Sequence, residues 1–108
     1  MKFAIITTED FKRDFKRLFK KYPSLIDDVE NLKSELENAP QQGEPLGKDC
    51  YKIRMAISSK GQGKSGGARL IASVKIIKEK IYLIAIYDKS DMENISDKEL
   101  KERLKGIK

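Results

Sequence analysis

Between residues 51 and 89 the chain places nine cations (Lys52, Arg54, Lys60, Lys64, Arg69, Lys75, Lys78, Lys80 and Lys89) against two acids, Glu79 and Asp88, a local net charge of +7. The flanking parts are nearly neutral: residues 1–50 carry −1 and residues 90–108 carry 0. A basic surface this concentrated attracts polyanions by releasing their counterions, and nucleic acid is the commonest such partner. On charge alone the plainer alternative, a well-solvated strand face, stays open. No histidine occurs and Cys50 is the only cysteine. That removes Ser–His and Cys–His nucleophile pairs and the usual nitrogen and sulfur ligands of zinc. Proton transfer then falls to Lys, Arg, Tyr or the carboxylates; no metal or other cofactor is expected.

The glycine-rich run from Ser58 to Gly67 holds two of these lysines and a literal G-x-G-x-x-G at Gly61, Gly63 and Gly66. A dinucleotide site would need a helix to follow, whereas Ala68 to Ile76 reads as a strand. Gly63-Lys64-Ser65 looks like the end of a phosphate-binding P-loop, but the first glycine of that motif would fall on Ser58. Both nucleotide readings are rejected. What remains is a hairpin loop in which four glycines permit positive φ and close backbone approach, with Lys60 and Lys64 near its base. Such a loop can lie along a phosphate backbone, or it can be an ordinary mobile hairpin with solubilising lysines.

The elements that must position these residues follow from the patterning. Met1 to Ile6 predicts a short strand, and Thr7 or Thr8 with Glu9 and Asp10 predicts a helix start. Phe11, Phe15, Leu18, Phe19 and Tyr22 share one face of a helix from about Thr8 to Lys21. Its other face carries Lys12, Arg13, Lys16, Arg17, Lys20 and Lys21 and reads as solvated. Pro23 breaks it, Ser24 is expected to cap a second helix on Leu25, Val29, Leu32 and Leu36, and the two form a helical hairpin. Residues 38–49, with two prolines and two glycines, read as a loop.

Strict alternation from Tyr51 to Ile57 turns Tyr51, Ile53, Met55 and Ile57 to the core and Lys52 and Arg54 away from it. In the strand from Ala68 to Ile76, Leu70, Ala72, Val74 and Ile76 face inward, so antiparallel pairing would put Arg69 on the same face as Arg54. Ile81 to Tyr87 is apolar throughout and therefore expected inside the sheet. Asp97 to Lys105 closes the chain as a short helix capped by Ser96. The sum is an α+β domain: a small, mainly antiparallel sheet with an N-terminal helical hairpin on one face, a short C-terminal helix, and the other face left open for a ligand.

At 108 residues and 39% apolar composition the chain has material for one core and one domain. No stretch approaches a membrane span, and the N-terminus has no signal-peptide pattern. With a lone cysteine, a cytoplasmic location is expected.

The run from Lys60 to Ile71, followed by Tyr82 to Met92, closely resembles the HigB-like branch of the RelE/ParE toxin superfamily. The resemblance implies a single RelE-like toxin domain over residues 1–108, with a curved sheet backed by two N-terminal helices. It implies a ribosome-dependent mRNA endonuclease that enters the ribosomal A site and is held inactive by a cognate antitoxin. Attack of the ribose 2′-hydroxyl on the adjacent phosphate would need a base, a charge stabiliser and an acid. Position by position, Arg69 matches the family's strand arginine and is the first candidate for holding the scissile phosphate, because a guanidinium can bind two phosphate oxygens at once. Lys64 and Lys60 match basic loop positions suited to phosphate contact or proton transfer, and Lys89 matches a basic position of the closing motif. Arg54 and Lys52 would bind flanking phosphate, and Tyr87 would stack on a base or serve as a core aromatic. Where several relatives carry a further arginine, Ser90 follows Lys89. The alternatives are a ParE-like toxin directed at DNA gyrase and an RNA-binding module without catalysis.

Overall fold

The computed structural model describes residues 2–107, so Met1 of the expected first strand lies outside it. In chain order the elements are β1 (Ala4–Thr7), α1 (Glu9–Lys21), α2 (Leu25–Asn38), β2 (Glu44–Gly47), β3 (Cys50–Met55), a 3-10 turn (Ser58–Lys60), β4 (Ala68–Lys75), β5 (Lys80–Asp88) and α3 (Asp97–Leu104). The strands form one mixed sheet in the order β1-β5-β4-β3-β2, with β1 parallel to β5 and the other pairs antiparallel.

Thr8 starts α1 as expected: its Oγ1 accepts the Phe11 N–H at 3.2 Å, satisfying one orphan donor of the first turn. Phe11 and Leu18 are buried, Phe15 is half-buried, and Phe19 at the rim of the face is 38% exposed. In α2 the four expected residues, Leu25, Val29, Leu32 and Leu36, are all buried. Burial of one such side chain contributes roughly 1.5–3 kcal/mol. Ser24 does not cap α2. Its backbone is already helical, and its hydroxyl donates instead to Asp28 Oδ2 at 2.9 Å, while Asp28 accepts the Ser58 hydroxyl at 2.6 Å. Ser24 and Asp28 therefore tie α2 to the 3-10 turn that opens the glycine loop.

Three further expectations are corrected. The expected loop at 38–49 contains β2, an edge strand that tolerates Pro45 because its outer side needs no ladder donor. Lys48 and Asp49, at φ 53° and 65°, form the two-residue turn into β3, with the positive φ values a tight hairpin requires. The second correction concerns the supposedly open sheet face. Leu70, Ala72 and Val74 pack with α1 and α2 on one side, but Cys50, Ile71, Ile84, Ala85 and Tyr87 form a second buried cluster under Leu100 of α3. Alternating apolar residues on both faces of β4 and β5 demanded a second cover, and α3 supplies it. Ile76, expected inward, lies beyond the end of β4 and is half exposed.

Both faces of β5 are filled with the help of a bulge. Ile71 is opposite Ala85 and Ala72 opposite Leu83, which leaves Ile84 extra. Ile84 and Ala85 consequently both belong to the α3-side cluster, while Leu83 and Ile86 belong to the α1/α2 side. Beyond Thr7 no strand among the described residues covers this edge of β5, and side chains take its place. Thr8 Oγ1 donates to the Leu83 carbonyl at 2.8 Å, Arg103 Nη1 donates to the Ile84 carbonyl at 3.1 Å, and Asp14 Oδ2 accepts the Ile86 N–H at 3.2 Å. Arg103 also donates to Asp14 at 2.6 Å and to Glu99 at 2.8 Å. Burial opposes the charge on Arg103, yet these carboxylates hold its pKa above the usual arginine value. The pair ties α1, β5 and α3 together.

Candidate nucleic-acid interface

Register builds the site. Arg54 of β3 is directly opposite Arg69 of β4, and Arg69 is directly opposite Tyr87 of β5. Their neighbours Ile53, Met55, Ala68, Leu70 and Ile86 pack toward the helical hairpin. Alternation therefore turns all three site residues to the opposite face, where Tyr87 is part of the cluster under Leu100. Arg54 is exposed, whereas Arg69 is only 4% exposed.

The Arg69 guanidinium has no carboxylate within 4 Å among the described residues; its Nη1 donates to two carbonyls, Lys64 O at 3.0 Å and Ala68 O at 3.1 Å. A buried cation without a counter-ion is costly for folding, and such groups concentrate at functional sites. Tyr87, beside it, is likewise uneconomical. Its hydroxyl is buried and has no partner at hydrogen-bond geometry among the described residues. Burial raises its pKa; the nearby Ile95 backbone and the charge of Arg69 oppose that rise without reversing it.

The glycine loop arches from Lys60 to Gly67 with Lys64 exposed at its middle. Gly61 and Gly63 adopt φ of 68° and 67°, conformations in which a side chain would be strained. Gly67 is needed for a different reason: a Cβ there would collide with the Met55 carbonyl of β3. The Lys89 N–H donates to the Gly67 carbonyl at 3.1 Å, extending the β4–β5 ladder by one residue and placing Lys89, exposed, across from the end of the loop. Arg54 and Lys64 also line a cleft of about 490 Å³ with Lys52, Gln42 and Glu44. Lys52 is partly committed there, donating to Asn94 Oδ1 at 2.6 Å and lying 3.5 Å from Glu44.

Five of the seven residues anticipated from sequence thus converge on one end of the sheet: Arg54, Lys64, Arg69, Tyr87 and Lys89. Lys52 borders them. Lys60 belongs to a different environment. Its ammonium lies 2.9 Å from Asp88 Oδ1 and 3.0 Å from Ser90 Oγ, and 5.6 Å from the centre of the Tyr22 ring. Asp88, 1% exposed, also accepts the Tyr22 hydroxyl at 2.8 Å and the Ser90 N–H at 2.9 Å. Burial alone would push the Asp88 carboxyl up, but the donors Lys60, Ser90 and Tyr22 outweigh it and hold the pKa down at about 2. Sequence reasoning missed this network. Its one available signal was that Asp88 is among only two acids in the basic segment.

Residues 4–107 match the model of the family described as the RelE toxin of the RelE/RelB toxin–antitoxin system. The fold is similar to that of a mutant of the E. coli toxin RelE in the free state, with TM-score 0.63, 22% identity and 100% of each chain covered. It is also similar to the isolated E. coli RelE toxin, with TM-score 0.62, 19% identity, and 98% of this chain and 99% of that chain covered. A chain of the intact E. coli RelBE toxin–antitoxin complex matches with TM-score 0.62 and 19% identity over 80% of this chain and 95% of that one. The solved structures share the architecture at low identity; the family match extends over nearly every residue, from the first strand past the end of α3. By that match, the chain belongs to the RelE toxin family.

Proposed function

We propose that this chain is the toxin of a type II toxin–antitoxin pair, of the HigB-like kind, and that it inhibits translation by cutting mRNA in the ribosomal A site. The observation that carries this reading is Arg69: a buried guanidinium without a carboxylate among the described residues, beside the exposed cations Arg54 and Lys64. A group of that kind fits an anion supplied from outside, and a planar guanidinium suits two oxygens of one phosphate.

In the reaction the ribose 2′-oxygen bonds to phosphorus as its proton departs, and the bond from phosphorus to the 5′-oxygen breaks as that oxygen gains a proton. The products are a 2′,3′-cyclic phosphate and a 5′-hydroxyl. Arg69 stabilises the phosphorane after exchanging the Lys64 carbonyl for a phosphate oxygen, a change the exposed glycine loop can absorb. Lys64, whose carbonyl Arg69 meets, and Lys89, paired with Gly67 at the end of the loop, supply phosphate contact and proton transfer. Arg54 and Lys52 hold flanking phosphates along the cleft, and the Tyr87 ring borders the reacting group.

A cognate antitoxin is the second partner under this reading, as a RelBE toxin–antitoxin complex exists for a protein of similar fold. The working compartment is the cytoplasm, where ribosomes and message meet. No helix among the described residues is long and apolar enough to cross a membrane.

Purified protein added to a translating extract tests the assignment. Message cleaved at codon boundaries is the expected result. Inhibition of gyrase supercoiling without cleavage would put the protein with gyrase-directed toxins, and RNA retention without either effect would reduce it to a binding module.

A further inference from the structure

We infer that Asp88, Lys60 and Tyr22 form a positioning device for the cleavage site, acting from behind the sheet without touching RNA; this rests on the nuclease reading above. Asp88 follows Tyr87 in β5, so alternation turns its carboxylate to the opposite face, where Tyr22 at the end of α1 meets it. From there Asp88 governs both segments that carry the exposed cations Lys64 and Lys89. Through Lys60 it fixes the start of the glycine loop, four residues before Lys64. Through the Ser90 N–H, and with its own backbone carbonyl accepting the Asp91 and Met92 N–H groups at 3.0 and 3.2 Å, it shapes the turn that leaves Lys89.

The far end of the loop is held separately, by the Lys89 N–H on the Gly67 carbonyl and by the close packing of Gly67 on β3. The loop is therefore anchored at both ends and exposed between them. Its middle is restrained by the Arg69 bond to the Lys64 carbonyl. Geometry also separates Lys60 from Lys64 in kind. The Lys60 ammonium already has a carboxylate, a hydroxyl and an aromatic ring around it, and its side chain is 9% exposed. It holds the loop in place; it does not carry the reaction's proton.

The test compares wild-type protein with Asp88→Asn, Lys60→Met, the double variant and Lys60→Arg in mRNA cleavage on programmed ribosomes, with amide hydrogen exchange measured on residues 61–67. Each single neutralising variant is expected to lower kcat by roughly 10- to 100-fold, since small misplacements of catalytic groups have effects of that size. KM should stay within about twofold, because the groups that contact RNA are retained. Exchange in the loop should quicken. The double variant should be no slower than the slower single one, because one interaction is removed either way. Lys60→Arg should restore most of the rate, and the pH–rate profile of Lys60→Met should keep its wild-type limbs. A lost or displaced limb in Lys60→Met would make Lys60 a proton carrier and overturn the inference. So would wild-type cutting by Asp88→Asn, or multiplying losses in the double variant. Wild-type protein that cuts no message would refute the nuclease reading itself, an outcome separate from any difference among the variants.

Discussion

Replacing Arg69 with methionine keeps the length of the buried stem and removes the guanidinium, which separates the site's function from its role in folding. On the folding side, two effects oppose each other. Hydrogen bonds from a charged group to the carbonyls of Lys64 and Ala68 contribute about 1.5–3 kcal/mol each. Keeping the cation buried without a carboxylate costs several kcal/mol. Stability should therefore change by no more than about 1–2 kcal/mol in either direction, because the two contributions are of similar size. On the chemical side nothing compensates: loss of a preorganised donor to the developing phosphorane charge should slow cleavage by about 10²- to 10³-fold. Urea unfolding and single-turnover cleavage on programmed ribosomes, run on the same preparation, measure the two effects. A variant that cuts at the wild-type rate would refute the placement of the phosphate. A loss of stability well above 3 kcal/mol would show that Arg69 is there to hold the loop.

Other perturbations test the framework. Arg103→Ala leaves Asp14 buried with only the Ile86 N–H and should lower the unfolding free energy by about 3–5 kcal/mol in urea titration. Glu99→Gln, which touches the more exposed partner of Arg103, should change it by less than about 1 kcal/mol. Asp88 is depressed from the ordinary carboxylate value to about 2 in the folded state. Its contribution, roughly 2 kcal/mol, is present in full above the unfolded carboxyl pKa near 4 and is lost as pH falls toward 2. Asp88→Asn should remove that part of the acid dependence in urea midpoints measured from pH 5 to pH 2. Tyr87→Phe deletes a buried hydroxyl without a hydrogen-bond partner among the described residues and should leave the melting temperature unchanged or raise it.

Helix and strand periodicity were strong where one face alone is buried. The apolar residues of α2 and the alternation through Ile53, Met55 and Ile57 transferred directly to the core. The convergence of Arg54 with Arg69 was readable for the same reason, since a two-residue period fixes faces once strands pair. Ser24 misled because a serine before a helix has more than one possible acceptor, and Asp28 on α2 offered a carboxylate. The strand at Glu44–Gly47 was hidden by its turn-forming residues, which an edge position tolerates. Lys60 and Lys64, four apart in a flexible-looking loop, were alike as letters. Only the fold shows that Lys60 has a carboxylate and a ring around it while Lys64 is exposed. The parallel pairing of β1 with β5 joins residues more than seventy apart, for which local pattern holds no signal.

The bulge at Ile84 decides the sign of the functional surface. Counted by simple alternation from Leu83, the α1/α2 side would receive Ala85 and Tyr87, and the opposite side would receive Asp88. The extra residue reverses that assignment, sending Tyr87 to the Arg69 side and Asp88 to the hairpin side. In an unbulged ladder Asp88 would lie on the face of Arg69 and could neutralise it, leaving a closed internal salt bridge where the native protein presents an unmet positive charge. Under the proposed nuclease reading, the affinity of this surface for phosphate would depend on a backbone irregularity a few residues away, buried under α3.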